Sequence, residues 1–348
     1  MTPSLWRNIC VLAAATLSFS AGAWADSNTL RILTWEDYFD PELISRFEAT
    51  HQVTVQSIYY DNDEVRDQIM AENQGNGFDL ILVDDIKLPT YIDQGWLAPI
   101  ATERLVHLAG HGELWHQRVP GIEGYAIPYS WGTYGITYRS DLLDTAPTRW
   151  ADLFEPNEAL TGFIQMLPQA SELLVIALLA QGDEPNSTDP AELAEALALL
   201  SAQKQRVAYY QTLDFDDNLL NQGLVKAAMS YNSDAIVLQE RYDNIEFVVP
   251  DEGTVLWIDY WTLSANSTQT ELAMAFFDFL LEPANNAQNV RYHYSATFSD
   301  QAKSLLPADI RTNEAVFPAN ADRFETLQRP SRQTIRTMMK IINNLDID

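Results

Sequence analysis

The order of apolar periods between residues 30 and 83 restricts the fold more than any other feature. L-R-I-L-T-W (30–35) reads as a short apolar strand, and Pro41 then opens a helix carrying Leu43, Ile44 and Phe47 at helical spacing. V-T-V-Q-S-I-Y-Y (53–60) alternates as a strand, D-E-V-R-D-Q-I-M (63–70) is helical, and F-D-L-I-L-V (78–83) is a buried strand. A β-α-β-α-β order of this kind predicts a parallel sheet with helices on both faces. The pattern breaks at Y-A-I-P-Y-S-W-G-T-Y-G-I-T-Y (125–138), a β-rich stretch. A second alternating series then places strands at 163–167, 206–211, 225–231 and 245–250, with helices near 170–181 and 190–203. V-L-W-I-D-Y-W (255–261) is a further strand, followed by an amphipathic helix from Glu271 to Leu281 with Leu272, Ala275, Phe276, Phe279 and Leu280 facing inward. The expected fold is α/β: two lobes, each a mixed, mainly parallel sheet flanked by helices, exchanging strands near residues 131 and 255. In open parallel sheets, ligands bind beyond the carboxyl ends of the strands.

The first 25 residues hold one arginine, an apolar run near 9–19 and Ala23-Trp24-Ala25, the pattern of a secretory signal peptide; the run is too short for a membrane span. Cys10, the sole cysteine, lies inside that run and away from the cleavage point, which argues against a lipid anchor. The exported chain must therefore be stable without disulfides, which suits a large periplasmic protein. The full chain carries a net charge of −28, and loss of the single signal arginine leaves about −29. Such a field repels nucleic acid and anionic lipid and concentrates small cations.

The expected strand ends gather acids and rings: Trp35, Glu36 and Tyr38 after the first, Asp84 and Asp85 after the third, Tyr231 to Asp234 after the strand near 225–231. In V-L-W-I-D-Y-W, Val255, Trp257, Asp259 and Trp261 share one face of the strand. A carboxylate buried there needs a donor or a cation beside it. Carboxylates hold ammonium groups by charge-assisted hydrogen bonds, ring faces attract the same cations, and flat rings cover methylenes. The set suits an elongated dication or polycation with an apolar body. A plainer reading stands beside it: Asp40 is the natural cap of the helix at Pro41, and Asp84 or Asp85 can cap the helix that follows.

Enzyme chemistry finds no support. The chain has no Gly-rich phosphate loop, serine elbow or reactive cysteine. His107 and His111 could share a helical face, with His116 further on, but Gly110 and Gly112 weaken that helix and only Glu103 and Glu113 are near. No catalytic residue, metal or cofactor is expected.

L-R-I-L-T-W-E-D-Y, G-F-D-L-I-L-V-D, Y-A-I-P-Y-S-W-G, W-A-D-L-F-E-P, N-S-T-D-P, G-T-V-L-W-I-D and F-L-L-E-P, in this order, resemble the periplasmic spermidine- and putrescine-binding proteins of ABC importers, among the bacterial extracellular solute-binding proteins. The resemblance implies a type II periplasmic binding protein: signal peptide 1–25, an N-terminal lobe of 26–131 plus 255–301, a C-terminal lobe of 132–254 plus 302–348, and a ligand in the interlobe cleft. Position by position it implies ligand contacts at Trp35, Glu36, Tyr38, Glu172, Trp257, Asp259, Tyr294 and Gln328. Asp84 stands where the family has a serine, Ile86 replaces an aromatic, Gln169 replaces an acid and Tyr231 a tryptophan, so the preferred amine spacing should differ. With Asp85 and Asp234 these make up the expected ligand-binding set. The implied partners are a polyamine and an inner-membrane ABC permease, with the protein a monomer in the periplasm. Some relatives instead report polyamine levels to a membrane-bound cyclic-di-GMP signalling enzyme and so govern biofilm formation. The basic stretch R-P-S-R-Q-T-I-R-T-M-M-K (329–340) leaves that role open, though it also reads as a terminal helix with Ile335, Met338, Met339 and Ile342 packed inward.

Overall fold

The structure is a computed structural model that describes residues 28–60, 62–111 and 119–347. The signal peptide, Cys10, Glu113 and His116 lie outside the described residues. The described residues form eleven strands: β1 (Thr29–Thr34), β2 (Thr54–Tyr59), β3 (Leu80–Asp84), β4 (Leu97–Ala98), β5 (Ala126–Arg139), β6 (Ile164–Met166), β7 (Val207–Tyr210), β8 (Ala227–Tyr231), β9 (Ile245–Val248), β10 (Val255–Ser264) and β11 (Glu325–Thr326). They run β2-β1-β3-β10-β5-β8-β6-β7, with β4 and β11 beside β10 and β9 beside β5.

β1 pairs in parallel with β2 and β3, and β6 with β7 and β8. Among the described residues, every antiparallel pairing between these strands involves β5 or β10. Of these, β5 pairs into both sheets. Residues 126–133 of β5 pair with β10, while Tyr134 to Arg139 pair with β8 and β9. The break expected at 125–138 is thus one 14-residue strand serving two sheets.

Side chains alternate as the periods required. Leu30, Ile32, Leu80, Leu82, Trp261 and Leu263 enter one core of the first lobe, and Leu33, Ile81, Val83, Ile258 and Tyr260 enter the core on the other face. The second lobe has one large core, in which Trp150, Phe154, Ile164 and Met229 pack beneath helices Ala170–Gln181 and Pro190–Gln203. A third packing unit joins Ala302, Leu306, Val316 and Phe317 to Ala287 and Val290 of helix Pro283–His293 and to Ile236. Beyond this unit the chain rejoins the second core at Leu327.

Several expected local features are present: Asp40 accepts from the Glu42 N–H at 2.9 Å and caps helix Pro41–His51. Two differ. Helix Thr270–Leu281 buries Ala273, Met274, Phe276, Phe277, Leu280 and Leu281, leaving Leu272, Ala275 and Phe279 only partly covered. It is apolar around much of its circumference, so the pattern alone did not fix its rotation. The terminal helix, Arg332–Leu345, buries Thr337, Ile341 and Leu345. Its Ile335, Met339 and Ile342 are 44%, 58% and 40% exposed, which corrects their expected inward placement. Residues 337, 341 and 345 form an i, i+4 row that fits the second lobe's helices, and the competing apolar row turns outward. His107 and His111 flank a 3-10 turn, Leu108–Gly110, in keeping with the weakened helix expected there.

Candidate functional site

The strand ends converge on a cavity of about 280 Å³ between the lobes. Its first-lobe wall begins where β1 ends, and Trp35 rests against Tyr60 with ring centroids 4.5 Å apart. Tyr38 reaches across to β10, where its hydroxyl donates to Asp259 Oδ2 and lies 2.9 Å from Ser130 Oγ. Asp259 is 8% exposed. It stands directly opposite Asp84 of β3 on one side and Ser130 of β5 on the other. A β-bulge follows at once: the register with β5 slips between Asp259 and Tyr260, leaving Tyr129 unopposed. Tyr129 uses the bulge to donate its hydroxyl to the Tyr38 carbonyl at 2.6 Å, which fixes the Tyr38 loop.

Both Asp84 oxygens are held by the protein. Oδ1 accepts from the Lys87 N–H at 2.9 Å and Oδ2 from Arg66 Nη2 at 2.5 Å. Arg66 is fully buried and also meets Asp63 at 2.8 Å and Asp67 at 3.2 Å. Its guanidinium carbon lies 5.6 Å from the Tyr60 ring centre and 5.8 Å from that of Tyr91. Asp85 is buried, with Oδ2 lacking any hydrogen-bond partner. Burial pushes its carboxyl well above the usual carboxylate range, and Asp84 and Asp259 push the same way.

The second-lobe wall uses hydroxyls. Tyr134 and Tyr231, opposite one another on β5 and β8, both donate to Glu172 Oε1, at 3.0 and 2.7 Å. Glu172 sits in the first turn of helix Ala170–Gln181, where the helix dipole favours its charge. Its Oε2 and the Gln169 Oε1 beside it are buried and without protein donors. Tyr231 meets Trp257 edge to face at 6.1 Å, so an aromatic floor runs from Tyr134 to Trp257. Gly132, opposite Trp257, makes this possible: a Cβ there would stand 2.4 Å from the indole and 2.2 Å from Asn232 Oδ1. Desolvation raises the Glu172 pKa to about 8, against the two tyrosine hydrogen bonds, and the Asp259 pKa to about 7, against the bond from Tyr38. Burial also lifts Asp234, in the first turn of helix Asn232–Arg241, to about 7.

Of the thirteen expected residues, eleven line this cavity: Trp35, Glu36, Tyr38, Asp84, Asp85, Gln169, Glu172, Tyr231, Asp234, Trp257 and Asp259. Tyr294 does not. It ends helix Pro283–His293 in a left-handed conformation and hydrogen-bonds Glu240, lining a separate surface groove. Gln328 does not either. Its N–H donates to Asn186 Oδ1 at 3.0 Å, so Leu327 faces the cavity while Gln328 lines a small adjoining pocket. Sequence reasoning missed Asp63, Tyr134, Thr212, Leu213 and Phe215. The alternation of β5 could have found Tyr134; the others come from a helix start and an irregular segment with no periodic signal.

Seven carboxylates from both lobes thus line the cavity with aromatic rings between them, and no Lys, Arg or His is among its lining residues. The sequence profile described as bacterial extracellular solute-binding protein matches residues 42–318. The chain belongs to this family. The chain is 26% identical over 314 residues to the norspermidine sensor of Vibrio cholerae (89% of this chain, 85% of the sensor). It is 26% identical over 316 residues to the spermidine/putrescine-binding periplasmic protein of Escherichia coli (90% and 89%). The solved structure of the spermidine/putrescine ABC transporter substrate-binding protein PotD of Streptococcus pneumoniae superposes with a TM-score of 0.80 at 25% identity, over 92% of this chain and 98% of that one. This solute-binding protein accordingly has the two-lobed, type II periplasmic binding fold. No helix among its described residues is long and apolar enough to cross a membrane.

Proposed function

We propose that this solute-binding protein takes up a polyamine in the periplasm and delivers it, as a monomer, to an inner-membrane ABC importer. One observation carries the reading: seven carboxylates and an aromatic floor face one cavity whose lining holds no cationic side chain. Ammonium groups supply the missing positive charge, and the rings cover the carbon chain between them. Hinge closure excludes water, strengthens the charge contacts and forms the surface that the permease reads. The likeness to spermidine/putrescine-binding proteins supports the same ligand class. In this reading the ligand contacts are the expected residues that line the cavity other than Asp84, whose two oxygens Arg66 and the Lys87 N–H already hold, joined by Tyr134.

A second reading is favoured by the likeness to the norspermidine sensor. There the closed form would report to a membrane-bound cyclic-di-GMP signalling protein. A thermal-shift panel of polyamines, sugars, amino acids and divalent metals tests the ligand class, since a ligand bound to the folded state raises its melting temperature. Stabilisation confined to polyamines supports both readings; stabilisation by a sugar or a neutral amino acid in their place rejects both. Uptake of labelled polyamine by cells lacking the gene then separates transport from sensing.

A further inference from the structure

Asp84 and Asp259 stand directly opposite one another on adjacent antiparallel strands. Side chains so placed have Cβ atoms about 4.5–5.5 Å apart, and like charges there destabilise the pair. A pocket reading cations would ordinarily answer with a second ligand ammonium. This chain answers with Arg66. The guanidinium is fully buried, 2.5 Å from Asp84 Oδ2 and 2.8 Å from Asp63 Oδ1, and bracketed by the rings of Tyr60 and Tyr91. The other Asp84 oxygen is committed to the Lys87 N–H at 2.9 Å. Tyr38, by contrast, holds a single oxygen of Asp259 with a neutral hydroxyl.

We infer that Arg66 is a built-in cation standing in for one ligand ammonium, so that this wall of the cleft offers an amine site at Asp259 alone. Arg66 is then a specificity-determining residue that never touches the ligand. It closes the site an additional amine would use beside the one at Asp259, and biases the cleft toward ligands whose remaining charge meets Glu172 and Gln169 across the gap. The inference deepens the polyamine reading and rests on it.

Calorimetry with putrescine, a diamine, and spermidine, a triamine with an aminopropyl arm, tests it on three variants. Arg66→Met keeps the buried volume and frees Asp84; the ratio of spermidine to putrescine affinity should rise by about tenfold or more, the size expected of a new buried charge contact. Asp84→Asn alone, in a pocket where Arg66 already claims that carboxyl, should change the ratio of the two affinities by less than about threefold. The double variant Arg66→Met/Asp84→Asn should return the ratio to that of the wild type. An unchanged ratio in Arg66→Met overturns the inference while leaving the polyamine reading intact. So does a fall of about tenfold or more in that ratio in Asp84→Asn, which would mean that Asp84 holds a ligand ammonium in the wild type, and this arm decides the matter if Arg66→Met does not fold. A wild-type protein that binds neither amine sinks the polyamine reading and the inference together.

Discussion

The two walls of the cleft carry acids under opposite arrangements. On the first-lobe wall, Asp84 and Asp259 face each other across two strands, and a buried arginine compensates one of them. On the second-lobe wall, Glu172 is held by two tyrosine hydroxyls and Gln169 adds an amide oxygen, with no cation among the lining residues. Arg66 sets a positive charge against Asp84. Hydroxyls alone leave a buried carboxyl liable to take up a proton. The difference shows that a count of acids does not measure a pocket's appetite for cations; each must be followed to its partner.

The largest test of that contrast removes one acid from each wall. Asp259→Asn keeps the side-chain shape and an acceptor for Tyr38 but removes the charge facing the ligand. Truncating one member of a buried charge pair costs about 2–5 kcal/mol, or a loss in affinity of roughly 30-fold to several thousand-fold. Glu172→Gln should cost less, about 1.5–3 kcal/mol, the worth of a hydrogen bond to a charged group, because the neutral amide still meets the ligand and both tyrosines. Calorimetry with one polyamine measures both. Near-wild-type affinity in both variants would show that neither wall grips an ammonium.

The pH response sharpens the comparison. Ordinary values near 3.8 for Asp259 and 4.5 for Glu172 rise to about 7 and about 8 through burial. With raised folded-state values, the folded protein binds more protons than the unfolded chain between these limits, so the stability of the ligand-free protein falls as pH rises from about 4 to 8. An ammonium ligand displaces those protons. Affinity should therefore climb from pH 5 to 8, by at most about tenfold per unit for each proton displaced, and fall again above pH 10 as the amines themselves lose charge. Titrations in buffers of different ionisation enthalpy would register the released protons. Affinity flat from pH 5 to 8 would mean that the carboxyls on both walls are already charged before the ligand arrives.

The aromatic floor common to both walls depends on a backbone detail. Gly132→Ala introduces a Cβ against the Trp257 ring and Asn232 Oδ1. Overpacking of this kind costs about 1–3 kcal/mol, which thermal unfolding would show. Loss of stability without loss of affinity would mean that the Trp257 ring can move without consequence for the ligand.

Much of this was legible in the sequence because it follows from period. The alternating apolar residues of β1, β3 and β10 fixed which faces are buried, and the acids and rings at strand ends reached the cavity because parallel sheets direct strand ends to one edge. Arg66 was not legible. In D-E-V-R-D-Q-I-M it looks like one charge on a solvated helix, and its burial arises from Asp84, 18 residues away on another element. Thr212, Leu213 and Phe215 were hidden for a related reason, being set by the fold of an irregular segment. Tyr294 and Gln328 rested on resemblance without a period behind them, and both lie outside the cavity. The terminal helix offers two apolar rows, and only the shape of the second lobe decides which is buried.

The smallest expected effect concerns rings, where the walls also differ. Trp35 rests on Tyr60 at the edge of the first-lobe wall, while Trp257 is locked between Tyr231 and the bare backbone of Gly132. Trp35→Leu leaves the sheet and the Asp259–Tyr38 pair in place, so it removes little besides the ring face offered to an ammonium or a methylene chain. That is worth about 0.5–2 kcal/mol, or roughly two- to 30-fold in affinity, against the larger loss for Asp259→Asn. High salt should erode the Asp259 contribution less than a surface pair's, because a site excluded from water is poorly screened. If calorimetry instead found Trp35→Leu equal to or worse than Asp259→Asn, the first-lobe wall would be gripping its ligand by apolar cover, and a site built to read charge would no longer describe it.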